Sequence, residues 1–261
     1  MASKKRASFA ALPTLLQRRF PDLVDPSEAI TNGRVLVDGA PITNPASRVR
    51  TDASLRVLSS EPLRGTRKLR AALESFDLTV CGAVALDLGA AAGGFTQALL
   101  DAGAARVYAV DVGSGQLRGH LRADARVVNL ERTNISVLTR RRVANLVDVV
   151  VMDLSYLAVA DALPQLDPGL LSASAQLLVL VKPTYELHAP MLAADPASVA
   201  RAVSRVQQAM TQHGWSVMDQ LPSPVAGSKG AVEVFVHAAR ATPRFGQPRR
   251  VTYPRATPDT E

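Results

Sequence analysis

Between residues 64 and 240, short apolar runs alternate with amphipathic stretches at helical spacing. VALDLGA, RVYAVDVG, RVVNLERT, VDVVVMDLS and QLLVLVKP read as strands; FTQALLDAG, SGQLRGHLR, VADALPQL and DPASVARAVSRVQQAMTQHG read as helices. Strands joined through helical crossovers imply an α/β fold with a mostly parallel, doubly wound sheet. WSVMDQL and AVEVFVHAA close the region with only a loop between them, so they are expected as an antiparallel pair at one edge.

Residues 1–60 follow another rhythm. LPTLLQRRF is one helical pattern. In VDPSEAITNGR, Asp25 can cap a second helix that Pro26 opens and Asn32-Gly33 ends. RVLVDGAPITN reads strand, Asp38-Gly39 turn, strand, and SRVRTDASLRVL repeats that pattern. The expectation is a small module of two helices and a sheet, followed by an α/β domain over 64–240. Pro243, Pro248, Pro254 and Pro258, set among arginines, predict a disordered basic tail over 241–261.

Composition narrows the picture. Of 261 residues 47% are hydrophobic and 4% aromatic, which supplies a large aliphatic core and argues against wholesale disorder. The single cysteine, Cys81, excludes a disulfide framework and a cysteine-rich zinc site, and no metal is expected. No apolar run approaches the length of a membrane span. The basic N-terminal stretch is broken by Pro13, Gln17, Arg18 and Arg19 with no cleavage-site pattern after it, so a cytoplasmic rather than secreted protein is expected.

The formal net charge is +7, and nearly all of it lies early: residues 1–75 hold thirteen Lys/Arg against seven Asp/Glu. Arg18, Arg19, Arg34, Arg48, Arg50 and Arg56 spread across the small module. A polyanion is the natural partner of such a surface.

Candidate chemistry gathers at strand ends. LDLGAAAGGFT sets Asp87, Gly89, Gly93 and Gly94 at the carboxyl end of the first strand, where open α/β sheets bind ligands. Asp111 ends the second strand and is placed for ribose hydroxyls. The glycine pattern is G-x-x-x-G-G rather than G-x-G-x-x-G, and an acid on the first strand is unwelcome to pyrophosphate. A ligand with an ammonium and a sulfonium suits it better, so S-adenosylmethionine is favoured over a nicotinamide cofactor. Asp153 and Lys182 end two further strands. Lys68 at the start of the domain and Glu233 in the last run could join them, and the four charges would sum to zero in a poorly solvated cleft.

Together, RGTRKL, LDLGAAAGGFT, GAARVYAVDVGSGQL, RVVNLERTN, VDVVVMDLSYL, LVKPTYE and SPVAGSKGAVEVF resemble the FtsJ-type RNA ribose 2′-O-methyltransferases, and more narrowly the TlyA family. The resemblance implies a Rossmann-like class I methyltransferase sheet with a small α-L RNA-binding module before it. It implies a Lys-Asp-Lys-Glu tetrad at Lys68, Asp153, Lys182 and Glu233. It also implies S-adenosylmethionine at Asp87, the Gly89–Gly94 loop and Asp111, and cytidine riboses of ribosomal RNA as substrate. Arg18, Arg19, Arg34, Arg48, Arg50 and Arg67 are the candidate RNA contacts. The chain departs from the family's pattern at Ala91-Ala92, where Ser-Thr is usual, at Arg67, where His is usual, and at Pro26-Ser27-Glu28, where the α-L helix usually opens with Ser-Arg. A non-catalytic ribosome assembly factor on the same fold is the alternative.

Overall fold

A computed structural model describes residues 8–58, 62–188, 195–227 and 230–240. The tail read over 241–261 lies outside them.

The first helix, α1 (Leu12–Arg19), turns Leu12, Leu15 and Leu16 inward at helical spacing. Helix α2 (Pro26–Thr31) starts as its sequence dictates: the Asp25 carboxylate accepts from the Glu28 N–H at 2.9 Å, and Pro26 opens the first turn. These helices pack with Val35 and Val49 into a core of their own. Strands β2 (Val35–Val37) and β3 (Ala40–Ile42) form the expected hairpin. Its turn needs left-handed backbone at both central positions, and Asp38 (φ 49°) and Gly39 (φ 84°) supply it.

The next two strands, β4 (Arg48–Arg50) and β5 (Leu55–Val57), exist but do not pair with each other. Strand β4 pairs with β1 (Phe9–Ala11), a strand too short to show in the pattern, and β5 pairs with β2. Asp38 explains the split. Its carboxylate accepts from Ser54 N–H at 2.8 Å, and its own N–H donates to the Ser54 carbonyl at 2.9 Å, which draws β5 to the β2–β3 hairpin.

The larger part is a seven-stranded sheet in the order β11-β12-β10-β9-β6-β7-β8. Strands β6 (Val84–Leu88), β7 (Arg106–Val110), β8 (Val127–Leu130), β9 (Val147–Met152) and β10 (Leu171–Val181) are parallel. Strand β12 (Val234–Arg240) runs antiparallel between β10 and the edge strand β11 (Trp215–Pro222). The antiparallel pair is therefore at one edge, as expected, with the later strand on the inside. The 17-residue helix between β10 and β11 (Pro196–Gln212) is capped by Asp195, which accepts from Ser198 N–H at 2.9 Å.

Strand order reverses between β6 and β9, so the crevice for a ligand opens at their carboxyl ends. The period-two alternation of side chains then decides which groups reach it. Ala85, Val149, Val151, Leu178, Leu180 and Phe235 pack on one face of the sheet, against Leu69, Leu73, Phe95 and Leu99. Those last residues belong to α3 (Arg64–Ser75) and α4 (Gly94–Asp101). Leu88, Val150, Met152, Val179, Val181 and Val234 face the other way. Counting along the strands, Asp87, Asp153, Lys182 and Glu233 all fall on the α3/α4 face.

Candidate active site

Lys68 sits in the first turns of α3, whose apolar stripe Leu69, Ala72 and Leu73 packs on the sheet. Its ammonium, which sequence pattern alone would set on a polar helix face, is buried and paired with the Glu233 carboxylate, likewise buried; each side chain is only 6% exposed. Glu233 is one residue before β12, and the β10–β12 register ends at Val181↔Val234, so Glu233 and Lys182 come next to each other. Lys182 in turn is 2.6 Å from Asp153 and donates to Ser155 Oγ at 2.8 Å. Its ammonium also lies 5.8 Å from the centre of the Tyr185 ring. The four charges are thus two ion pairs, one enclosed and one facing solvent: Lys182 is 13% and Asp153 24% exposed.

The glycine loop joins β6 to α4. Gly89 has φ 89°, and a Cβ on it would lie 2.6 Å from the Asp153 carbonyl oxygen, so glycine lets the first and fourth strand ends touch. Gly94 meets Gly65 of α3 backbone to backbone, with 3.0 Å left for a Cβ. Thr66 fastens the same contact by donating to the Gly94 carbonyl at 2.9 Å. Asp111 follows β7, and its two carboxylate oxygens accept from Ala91 N–H at 2.9 Å and Gly113 N–H at 2.7 Å, tying the two ligand loops together. Each oxygen keeps a second lone pair.

Asp87 is completely buried. Thr96 donates to its Oδ2 at 2.6 Å, while Oδ1 has no hydrogen-bond partner among the described residues. Burial, opposed by the Thr96 hydrogen bond and aided by Asp153 and Asp111, pushes the carboxyl up to about 7. Asp87, with its orphaned Oδ1, and Asp111, with lone pairs to spare, fit a cationic ligand better than a pyrophosphate. The residues present therefore fit S-adenosylmethionine.

A pH experiment isolates this acid. A folded-state value above the ordinary 3.8 means that stability is fully present below about pH 4 and is lost as pH rises through 7. About three units at ~1.4 kcal/mol each make the expected loss about 4 kcal/mol. In the unliganded protein, Asp87→Asn should remove that slope from urea unfolding measured between pH 4 and 8. An unchanged slope would place the titration elsewhere.

Three supporting residues were not singled out in the sequence. Thr96 and Ser155 hold Asp87 and Lys182; both lie inside stretches already marked by a strand-end acid. Glu186 is the third, four residues beyond Lys182 and 1% exposed. Its carboxylate accepts from Val159 N–H at 2.6 Å, which fastens the loop after β9 to the turn after β10. Burial raises its carboxyl above the usual range.

The candidate RNA arginines divide by environment. Arg18, Arg34 and Arg67 have no ion-pair partner among the described residues, and Arg18 and Arg67 are exposed. Arg19 donates to the Ala53 and Thr51 carbonyls, and Arg48 to the Phe9 carbonyl, so both hold the module together while keeping their charge. Arg50 is bound to Asp52 at 2.6 Å, which offsets its charge locally.

Residues 63–240 match the FtsJ-like methyltransferase family model. The chain belongs to that family. It is a methyltransferase, and its cofactor is S-adenosylmethionine. Among its relatives, the 16S/23S rRNA (cytidine-2′-O)-methyltransferase TlyA of Mycobacterium tuberculosis is 41% identical over 227 residues, 84% of each chain. Hemolysin A of Brachyspira hyodysenteriae is 28% identical over 218 residues, 80% of this chain and 90% of that one. A solved structure from Streptococcus thermophilus, described as a hemolysin candidate, has a TM-score of 0.64 at 27% identity and covers 89% of both chains. No helix among the described residues is long and apolar enough to cross a membrane.

Proposed function

We propose that this methyltransferase modifies the ribose 2′-hydroxyl of a cytidine in ribosomal RNA, in the cytoplasm. The observation that carries the reading is the pair of ion pairs Lys68–Glu233 and Lys182–Asp153 beside the glycine loop. The printed activity of the Mycobacterium tuberculosis relative supports the substrate class.

When bound, S-adenosylmethionine supplies an electrophilic methyl group on a sulfonium. A ribose hydroxyl is almost wholly protonated at neutral pH, so the chain must orient it and accept its proton. Lys182 Nζ is the group that takes that proton, after giving up the one that it carries in the ion pair with Asp153. Asp153 and Ser155 fix where Nζ points, because both bind it within hydrogen-bond distance. Lys68, clamped by Glu233, holds a positive charge beside the oxygen as negative charge develops there. Asp87, Asp111 and the loop glycines hold the donor. The small basic module docks RNA through Arg18, Arg19, Arg34, Arg48 and Arg50, joined by Arg67 of α3.

The test is nucleotide-resolution mapping of ribose methylation in ribosomal RNA from cells with and without the protein. Loss of a cytidine 2′-O-methyl group on deletion, restored by the wild-type gene, is the expected result. An unchanged methylation map would overturn the reading.

A further inference from the structure

The small module rests on α5 (Gly119–Ala123), the short helix after β7. A Cβ on Gly33 would stand 3.4 Å from His120, and one on Gly119 would stand 3.3 Å from Pro41. Around this contact a cavity of about 390 Å³ opens, with Arg34 on the module side and Arg70, Arg118 and His120 on the domain side. Asp101 is the one carboxylate among its described lining residues, and it is committed to Arg70 at 2.9 Å and to Gln97 at 2.7 Å. Arg34 and Arg118 have no carboxylate partner among the described residues. Both are half-buried, and burial lowers the Arg118 guanidinium from its ordinary value.

Unpaired guanidinium groups that share one concave site lower their free energy by taking an anion, and the planar fork matches a phosphate. We propose that this cleft between module and domain holds a phosphodiester of the RNA substrate, clamped from opposite sides by Arg34 and Arg118. The proposal rests on the RNA-methylating reading above and adds where the strand enters. The cleft wall includes Leu63 and Thr66, and Thr66 is two residues from Lys68 on the same helix, about 3 Å along its axis. Residues two apart face opposite sides of a helix, so a backbone held there reaches the tetrad by passing around the start of α3. Helix α5 also reaches the glycine loop, because the Leu121 side chain occupies the space a Cβ on Gly93 would need. Arg118, one arm of the clamp, therefore caps the same helix that packs on the cofactor loop.

The experiment uses the full chain and a fluorescein-labelled RNA hairpin with a single-stranded loop, followed by anisotropy between about 50 and 200 mM salt. Arg34→Gln and Arg118→Gln should each weaken binding about tenfold and reduce the slope of log affinity against log salt by about 0.7 to 0.9. Arg118→Lys should recover the slope, because it keeps the charge. Equal affinity and slope in wild type and both Gln variants would overturn the proposal. Tripolyphosphate is the second probe. If it protects wild type but not Arg118→Gln from thermal unfolding while RNA affinity stays the same, the site belongs to a free anion and the RNA assignment falls. The two readings separate cleanly. A protein that leaves the ribosomal methylation map untouched, yet loses RNA affinity in Arg118→Gln, would sink the enzymatic reading and keep the cleft. An intact methylation activity with unaltered RNA binding in both Gln variants would do the reverse.

Discussion

Replacing Lys182 by alanine should lower single-turnover methylation of the RNA by about a hundred- to ten-thousandfold, the usual worth of a positioned acid–base group. Cofactor affinity, read by calorimetry, should stay within about twofold, since the polar partners of Lys182 among the described residues are Asp153 and Ser155, and neither is on the glycine loop or is Asp111. The split between the two readouts is what gives the experiment its force. The fold is expected to tolerate the loss of Asp153's partner, because Asp153 is 24% exposed and removal of the Lys182 side chain leaves room for water beside its buried Oδ1. Wild-type turnover in Lys182→Ala, measured on the true RNA, would remove Lys182 from the proton path and leave Asp153 as the group to test next.

The second large effect concerns the enclosed pair. Lys68→Met removes the ammonium from Glu233, whose side chain is 6% exposed and has no comparable access to water. An uncompensated buried carboxylate costs about 3 to 5 kcal/mol when its partner is deleted. Urea unfolding of Lys68→Met near neutral pH should show a loss of that size. Adding Glu233→Gln should return most of it, because the charge is then gone from both partners. A single variant within about 1 kcal/mol of wild type would mean that the pair is hydrated, against the geometry. The contrast with Lys182→Ala separates two roles in one tetrad: the solvent-facing pair should govern rate, and the enclosed pair should govern both stability and rate.

Much of this is legible in the sequence. Each strand-end charge follows an apolar run, which places Asp87, Asp153 and Lys182 at the carboxyl ends of strands; their common face follows only from the packing of Ala85, Val151 and Leu180 against α3 and α4. Lys68 was not legible in the same way. Helix α3 carries Arg64, Arg67, Lys68 and Arg70 close together, which reads as a solvated face; the pattern offers Lys68 only as a charge that could join the strand ends, and the resemblance gives it a tetrad role. Its burial depends on Glu233 arriving from the far end of the chain, which no local pattern encodes. The pairing of β4 with β1 escaped for a related reason. Three-residue strands carry too few alternations to declare a register, and the capture of Ser54 by Asp38 is a tertiary event. The arginines show the same limit. Sequence counts Arg19 and Arg50 as free charges, whereas the fold gives one to backbone carbonyls and the other to Asp52.

The position of β12 has a consequence for how the protein is made. Lys68 and Glu233 are 165 residues apart, and the strand after Glu233 is inserted between two strands that precede it in sequence. During synthesis, the module and the first five strands of the sheet can leave the ribosome and begin to fold, since N-terminal segments emerge first. The sheet cannot close until residue 240 has emerged. Until then β10 and β11 each present an unpaired edge, and Lys68 has no counter-charge. Contacts this remote in sequence also form slowly. The nascent chain is therefore expected to lack methylating capacity until β12 has emerged and paired, which completes the tetrad.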